Sequence, residues 1–134
     1  WREDKGDAPL KETLAAAMIA ASGWDPHGDA PVPLYDPCCG SGTVLIEAAQ
    51  IACCIAPGMR RRFAFEKLLP FQSHVWDAIK DEAKGVQQTS AVAIFGSDVS
   101  HRMVDFSERN AERAGVAGAV QLRGGDALQR MPPC

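Results

Sequence analysis

The fold is decided by one short stretch of sequence, Asp36-Pro37-Cys38-Cys39-Gly40-Ser41-Gly42-Thr43. It follows an apolar run over residues 32–35 and precedes an apolar helical pattern that begins at Val44. Gly40 and Gly42 allow the backbone to turn tightly and to come close to a ligand. A helix that starts directly afterwards presents free N–H groups and a partial positive charge. The stretch therefore predicts a strand, a ligand-binding loop and a helix in succession.

The acid at the head of this stretch indicates which ligand would fit. Asp36 should stand at the carboxyl end of the strand, where it places a negative charge at the mouth of the loop. A suitable ligand carries a carboxylate for the helix start and an ammonium group for Asp36, and S-adenosylmethionine carries both. All eight residues are candidates for binding this cofactor: Asp36, Pro37, Cys38, Cys39, Gly40, Ser41, Gly42 and Thr43.

Other glycine-rich loops agree less well with the same residues. An ATP-binding Walker loop needs a Lys-Ser or Lys-Thr pair after its last glycine, whereas Thr43 follows Gly42 directly. A dinucleotide fingerprint needs a third glycine at the position of Leu45. An ordinary glycine–serine turn between strand and helix is the remaining alternative.

Two more acids are expected at the same edge of the sheet. The apolar run over 91–95 predicts a second strand that leads to Asp98, and residues 120–122 predict a third that leads to Asp126. We expect Asp98, with Val99 beside it, to accept hydrogen bonds from a ribose diol. Asp126 is a candidate acceptor for an adenine amino group, with Ala127 offering backbone contacts. Taken singly, each acid could instead belong to a solvated turn or a helix cap.

Helices alternate with these strands. Helical patterns cover residues 10–22, 43–54, 74–84 and 100–114. The alternation predicts an α/β fold of the Rossmann-like type, a parallel sheet with helices on both faces. Ligands of such sheets bind at the carboxyl ends of the strands.

Composition is that of a globular protein within the cell. The chain has 134 residues, of which 46% are hydrophobic and 23% charged, and its net charge is −3. The five cysteines form neither a disulfide framework nor a C-x-x-C pair, so we expect reduced thiols and no metal site. No signal peptide or membrane span is visible, and we expect a cytoplasmic location. These cysteines are Cys38, Cys39, Cys53, Cys54 and Cys134.

The chain resembles the bacterial ribosomal RNA guanine-N2 methyltransferases of class I, which carry an upstream THUMP RNA-binding domain. The motif D-P-x-C-G-S-G-T is shared with methyltransferases that act on amino groups of nucleic-acid bases, and such proteins are also labelled N6-adenine DNA methylases. Further matching segments span nearly the whole sequence: Trp1-Arg2, Ala8 to Ala17, Ser22-Gly23-Trp24, Leu45 to Ala49, Ala56-Pro57-Gly58, Asn110-Ala111 and Ala114-Gly115.

The resemblance implies a domain plan and an activity. Residues 1–30 would be a lead-in helix segment, and 31–134 the cofactor-binding half of a methyltransferase domain with an insertion at about 56–73. Thr13 resembles a family position near the cofactor, although an N-terminal helix cap is an alternative role for it. The activity implied is S-adenosylmethionine-dependent methylation of guanine N2 in large-subunit ribosomal RNA. An adenine-amino DNA methylase and a non-catalytic adenosine-nucleotide-binding module remain alternatives.

The family's catalytic motif, Asn/Asp-Pro-Pro-aromatic, is not expected within this chain. Pro132-Pro133 lacks the polar residue before it, is followed by Cys134 instead of an aromatic residue, and comes too soon after Asp126 for a helix and a fourth strand. The resemblance therefore implies that the catalytic motif lies beyond Cys134, and we name no catalytic residue in this chain.

Two further expectations concern the surface of the molecule. The sheet should stop after its third strand, and the exposed edge of the first strand invites self-association. Contact with RNA is weakly indicated by Arg60, Arg61 and Arg62, which lie beside two phenylalanines. A solvated loop with two phenylalanines in the core is the alternative that we favour for this segment.

Overall fold

The computed structural model describes residues 1–3, 6, 9–56 and 73–125, with Ser73 described by its backbone alone. The elements are α1 (Glu12–Ser22), β1 (Leu34–Asp36), α2 (Thr43–Ala52), α3 (Ser73–Gly85), β2 (Ile94–Asp98), α4 (His101–Ala114) and β3 (Val120–Gly124). A short 3-10 turn over Ala117–Ala119 leads into β3. None of the helices in the described ranges is long and apolar enough to cross a membrane.

The three strands form one parallel sheet in the order β1-β2-β3. Tyr35 lies opposite Phe95, and Phe95 lies opposite Gln121. The central strand extends past the end of β1, because Asp36 pairs with Gly96 while β2 continues to Asp98. The parallel sheet with its helices confirms the predicted Rossmann-like α/β fold.

Helix α2 is the centre of the packing. It contacts α1, α4 and all three strands, as expected of a helix whose sequence is almost entirely apolar. Leu45 and Ile46 of α2 are fully buried together with Ile94 of β2 and Val116, which follows α4. Since α2 begins at the end of the glycine loop, the core fixes the place where that loop must end.

Several predicted boundaries differ from the observed ones: α1 begins at Glu12 instead of residue 10, and β1 lies at Leu34–Asp36 instead of 32–35. Strand β2 was expected over 91–95 but begins at Ile94, because the Ser90 hydroxyl donates to the Val92 carbonyl (2.7 Å) and makes a local turn there. Helix α2 was expected to reach Cys54 but ends at Ala52, and Cys54 has a left-handed backbone (φ 55°).

Some sequence-based expectations lie outside the described residues. They are the insertion at about 56–73 apart from its ends, the basic residues Arg60, Arg61 and Arg62, the candidates Asp126 and Ala127, and the segment Pro132-Pro133-Cys134. The prediction that the catalytic motif lies beyond Cys134 therefore stays a prediction. Of the five cysteines, Cys38, Cys39, Cys53 and Cys54 have free thiols, as expected, and Cys134 is the one outside the described ranges.

The contact between α2 and β2 leaves no space for a side chain at position 96. A Cβ atom on Gly96 would collide with Leu45 Cδ1 and lie 3.0 Å from Leu122 Cδ2. Because Leu45 is fully buried, we expect Gly96→Ala to lower the free energy of unfolding by about 1–3 kcal/mol in urea denaturation. The control Gly118→Ala, where nothing lies within 4 Å, should change it by less than about 0.5 kcal/mol.

The double variant Gly96→Ala/Leu45→Ala should be more stable than the sum of the two single changes predicts, because the smaller residue relieves the clash. Strict additivity would contradict this account of the α2–β2 contact.

Candidate functional site

The glycine loop folds over the carboxyl end of β2. The Asp36 carboxylate accepts a hydrogen bond from the Cys38 N–H (3.0 Å), which turns the chain directly after β1. The Cys39 N–H then donates to the Ser97 carbonyl (2.9 Å), and the Gly42 N–H donates back to the Cys39 carbonyl (2.9 Å). These three bonds attach the loop to the neighbouring strand and close it on itself.

Both glycines of the loop have left-handed backbones. Gly40 has φ 56° and Gly42 has φ 87°, a conformation that residues with side chains adopt at a cost. Gly42 immediately precedes α2, and its carbonyl accepts the first helical hydrogen bond, from Ile46 (2.9 Å). A Cβ atom at position 42 would also lie 3.0 Å from Ser107 Oγ. Glycine is therefore required at position 42 on two independent grounds.

Asp98 connects the loop to the helix that follows β2. Its Oδ2 accepts from the Gly40 N–H (3.1 Å), and its Oδ1 accepts from the Ser100 N–H (2.9 Å). Ser100 in turn caps α4 by accepting from the Met103 N–H (3.4 Å). A carboxylate has lone pairs left after two such bonds, so Asp98 can still accept from a ligand.

The negative charge of Asp98 is close enough to Asp36 to affect the pKa of Asp36. Burial raises the pKa of Asp36 above its usual value of 3.8, the hydrogen bond from Cys38 opposes the shift, and the negative charge of Asp98 adds to it. The ends of β1 and β2 thus form a partly desolvated negative site. Such a site favours a ligand that carries a positive charge.

The two adjacent cysteines of the loop have different environments. Cys38 is exposed, whereas Cys39 is buried with its Sγ 3.7 Å from Ser107 Oγ. Burial is the main cause that raises the pKa of the Cys39 thiol to about 11, so the thiol is neutral at physiological pH. Cys39 is therefore a packing residue, and Cys38 is the thiol that a ligand at the loop can meet.

The predicted cofactor residues divide into accessible and buried ones. Pro37, Cys38 and Gly40 retain surface, and Val99 is 72% exposed. The structure buries four of them: Cys39, Ser41, Gly42 and Thr43. The accessible part of the loop thus lies on the side of Asp36 and Asp98.

The Thr43 hydroxyl faces the start of the chain rather than open space. Arg2 Nη1 donates to Thr43 Oγ1 (3.2 Å) and to the Leu10 carbonyl, and Arg2 Nε lies 3.2 Å from a Glu12 carboxylate oxygen. The Arg2 side chain is only 12% exposed. Arg2 therefore joins the starts of α1 and α2, a role that the sequence alone did not reveal.

Thr13 lies in the first turn of α1 and is exposed. The residue that precedes the helix is Lys11, which makes no side-chain capping bond. The alternative role of Thr13 as the helix cap is therefore wrong.

Two further residues of the site were missed. Ser107 Oγ donates to the Gly40 carbonyl (2.7 Å), and Asn110 Nδ2 donates to the Ser41 carbonyl (3.0 Å). Both are buried and polar on the face of α4 that otherwise packs apolar residues. Polar residues at positions where the helical pattern predicts apolar ones were the sequence signal that could have identified Ser107 and Asn110.

A cavity of about 530 Å³ lies at the opposite end of the sheet, beside Cys53, Val92 and Val116. Open parallel sheets bind ligands at the carboxyl ends of their strands, so this cavity carries less weight than the glycine loop.

The sequence matches the model of the RMKL-like methyltransferase domain over residues 1–131. A curated relative, the ribosomal RNA large subunit methyltransferase K/L of Shewanella loihica, is 45% identical over 138 residues. The match covers 99% of this chain and 19% of the relative, so the chain spans about a fifth of the relative's length.

Solved structures give the same result. The protein SMU.472, solved as a complex with SAH (S-adenosylhomocysteine), has a TM-score of 0.88 and 35% identity, covering 99% of this chain and 34% of that one. A structure described as a predicted N6-adenine-specific DNA methylase from Listeria monocytogenes has a TM-score of 0.88 and 34% identity, covering 98% of this chain and 34% of its own. These matches confirm the resemblance: the chain belongs to the RMKL-like methyltransferase domain family.

Proposed function

We propose that this chain binds S-adenosylmethionine at the glycine loop. The observation that carries the proposal is the contact of Asp98 with the Gly40 N–H, which brings a second acid onto the loop besides Asp36, whose carboxylate binds the Cys38 N–H. Asp36 then holds the ammonium group of the cofactor, and Asp98 accepts from its ribose hydroxyls. The SAH complex of the similar protein SMU.472 supports this choice of ligand.

The residues present fit the chemical groups of the cofactor. The accessible residues of the loop lie beside Asp98 and the exposed Val99; they are Pro37, Cys38 and Gly40. Asp126 and Ala127 complete the proposed set on the adenine side, and Thr13 is a further candidate. When bound, S-adenosylmethionine supplies an activated methyl group.

We further propose that the complete gene product methylates an exocyclic amino group of a base in ribosomal RNA, with guanine N2 of the large-subunit RNA as the first candidate. The name of the Shewanella relative supports ribosomal RNA as substrate. Within the resembled family, the base would be held by an Asn/Asp-Pro-Pro-aromatic motif, which we expect beyond Cys134. Arg60, Arg61 and Arg62 remain candidates for weak RNA contacts, and the cytoplasm is the proposed location.

The name of the Listeria structure favours a second candidate, methylation of an adenine amino group in DNA. The two candidate activities are distinguished by incubating the complete gene product with methyl-labelled cofactor and one of two substrates. These substrates are unmodified large-subunit ribosomal RNA and duplex DNA. Label in guanine of the RNA supports the first proposal, and label in adenine of the DNA replaces it with the second. Cofactor binding without either label would favour a non-catalytic nucleotide-binding module.

The cofactor assignment predicts selective binding in a calorimetric titration. S-adenosylhomocysteine should bind, whereas NAD and ATP should not. Asp98→Asn should weaken binding about 10- to 100-fold, the scale of lost charge-assisted hydrogen bonds. Asp105→Asn, an exposed change on α4, is the matched control and should bind normally.

Because Asp98 also holds Gly40, its variant could act through the loop alone. A cofactor analogue that lacks the ribose hydroxyls separates the two effects. This analogue should bind weakly to the wild type. The Asp98→Asn variant should bind the analogue as well as the variant binds S-adenosylhomocysteine, because its contact with the ribose hydroxyls is already lost. If the hydroxyls contribute equally to binding in wild type and variant, the ribose role of Asp98 is wrong.

The raised pKa of Asp36 predicts that cofactor affinity falls in mild acid. As the pH is lowered from about 7 toward the Asp36 pKa, the carboxylate is protonated and its attraction for the ammonium group is lost. The raised pKa also means that protonation of Asp36 stabilises the fold, so the lost affinity is not due to unfolding through this group. Asp36→Asn should bind weakly and lose this pH dependence. An unchanged pH dependence in the variant would contradict the assignment.

The free edge of β1 predicts that the isolated chain associates with itself. In the described part of the chain β1 pairs with β2 alone, which leaves its other edge open. Sedimentation should show association that increases with protein concentration. Val32→Lys, at an exposed residue beside β1, should reduce it, whereas Val86→Lys, equally exposed but after α3, should not. A monodisperse monomer that melts cooperatively would contradict this proposal.

A further inference from the structure

Helix α4 places two buried polar side chains directly behind the glycine loop. Ser107 is 1% exposed and Asn110 is fully buried. They are three residues apart and therefore lie on the same face of the helix. A polar group in such a position is unfavourable unless it is hydrogen-bonded, so its partners show what it does.

Ser107 lies against three residues of the loop, Cys39, Gly40 and Gly42. Its hydroxyl donates to the Gly40 carbonyl (2.7 Å) and lies 3.7 Å from Cys39 Sγ. Its Cα would be 3.3 Å from a Cβ atom at Gly42. Ser107 therefore sets both the direction of one carbonyl and the distance between α4 and the loop.

Asn110 holds the next carbonyl and also binds the start of the chain. Its Nδ2 donates to the Ser41 carbonyl (3.0 Å). Its Oδ1 accepts from the Glu3 N–H (3.3 Å) and from Arg113 Nη2. Because two donors face Oδ1, the orientation of the amide is fixed, and Nδ2 must face the loop.

The two bonds have a consequence for the opposite side of the loop. In a planar trans peptide the C=O and the next N–H point in opposite directions. Because Ser107 holds the Gly40 carbonyl toward α4, the Ser41 N–H points away from α4. Because Asn110 holds the Ser41 carbonyl, the orientation of the peptide between Ser41 and Gly42 is fixed as well. The backbone donors of the loop are set before any ligand arrives.

We propose that Ser107 and Asn110 are positioning residues that set cofactor affinity by fixing the glycine loop. The inference rests on the proposed function, since it takes S-adenosylmethionine to be the ligand of the loop. Neither residue is required to touch the cofactor, and both act through the Gly40 and Ser41 carbonyls.

The test measures the affinity for S-adenosylhomocysteine and the stability of the complete gene product side by side. Asn110→Asp keeps the size of the side chain and the acceptor for Glu3 and Arg113, but it removes the donor to Ser41. Ser107→Ala removes the donor to Gly40 without burying a charge, and it serves if the first variant fails to fold. Each should weaken binding roughly tenfold, the scale of one lost hydrogen bond, while kcat at saturating cofactor stays near the wild-type value.

Val104→Ala is the matched control, because Val104 is buried on the same helix and its side chain has no polar atom that could hydrogen-bond the loop. It should lower the stability and leave the affinity unchanged. If Val104→Ala weakens binding as much as Ser107→Ala, or if Ser107→Ala and Asn110→Asp both bind like the wild type, the positioning role is overturned. A wild-type protein that binds no S-adenosylhomocysteine would instead overturn the proposed function, and this inference with it.

Discussion

The arrangement of the glycine loop depends on the hydrogen bonds that the Asp98 carboxylate accepts. This carboxylate accepts one backbone N–H from the glycine loop after β1 and another from the turn before α4. Both partners are neutral donors to a charged acceptor, a stronger kind of hydrogen bond than one between neutral groups. Because the charge of the same carboxylate also raises the pKa of Asp36, the side chain that holds the loop contributes to the negative charge at this edge of the sheet. One side chain thus holds the loop and adds to the charge at this edge of the sheet.

The sequence predicted most of this edge of the sheet. The glycine loop and the acids at 36 and 98 could be placed because parallel strands alternate with helices, and because their carboxyl ends meet at one edge. Those rules use local patterns and chain order only. They give the position of a residue in the topology, and the structure has Asp36 and Asp98 at the ends of the paired strands β1 and β2.

What the sequence did not predict depends on contacts between distant parts of the chain. Arg2 binds Thr43, and Asn110 binds Ser41, across separations that no local pattern reports. The late start of β2 has a similar origin at short range, since the bond from Ser90 to Val92 competes with the strand. Hydrophobic periodicity describes which face of α4 is buried, but it treats the polar residues on that face as exceptions and does not say what they bind.

The first three residues are connected to the loop more directly than their distance along the chain implies. The Trp1 carbonyl accepts from Arg113 Nε (2.9 Å), and the Glu3 N–H donates to Asn110, whose other end holds Ser41. The chain start is thus coupled mechanically to the loop through the Asn110 side chain, in addition to the contact of Arg2 with Thr43. Tension or rotation applied at Trp1 reaches the backbone of the loop through two hydrogen bonds. A force applied to the chain at Trp1 would therefore also act on the position of the glycine loop.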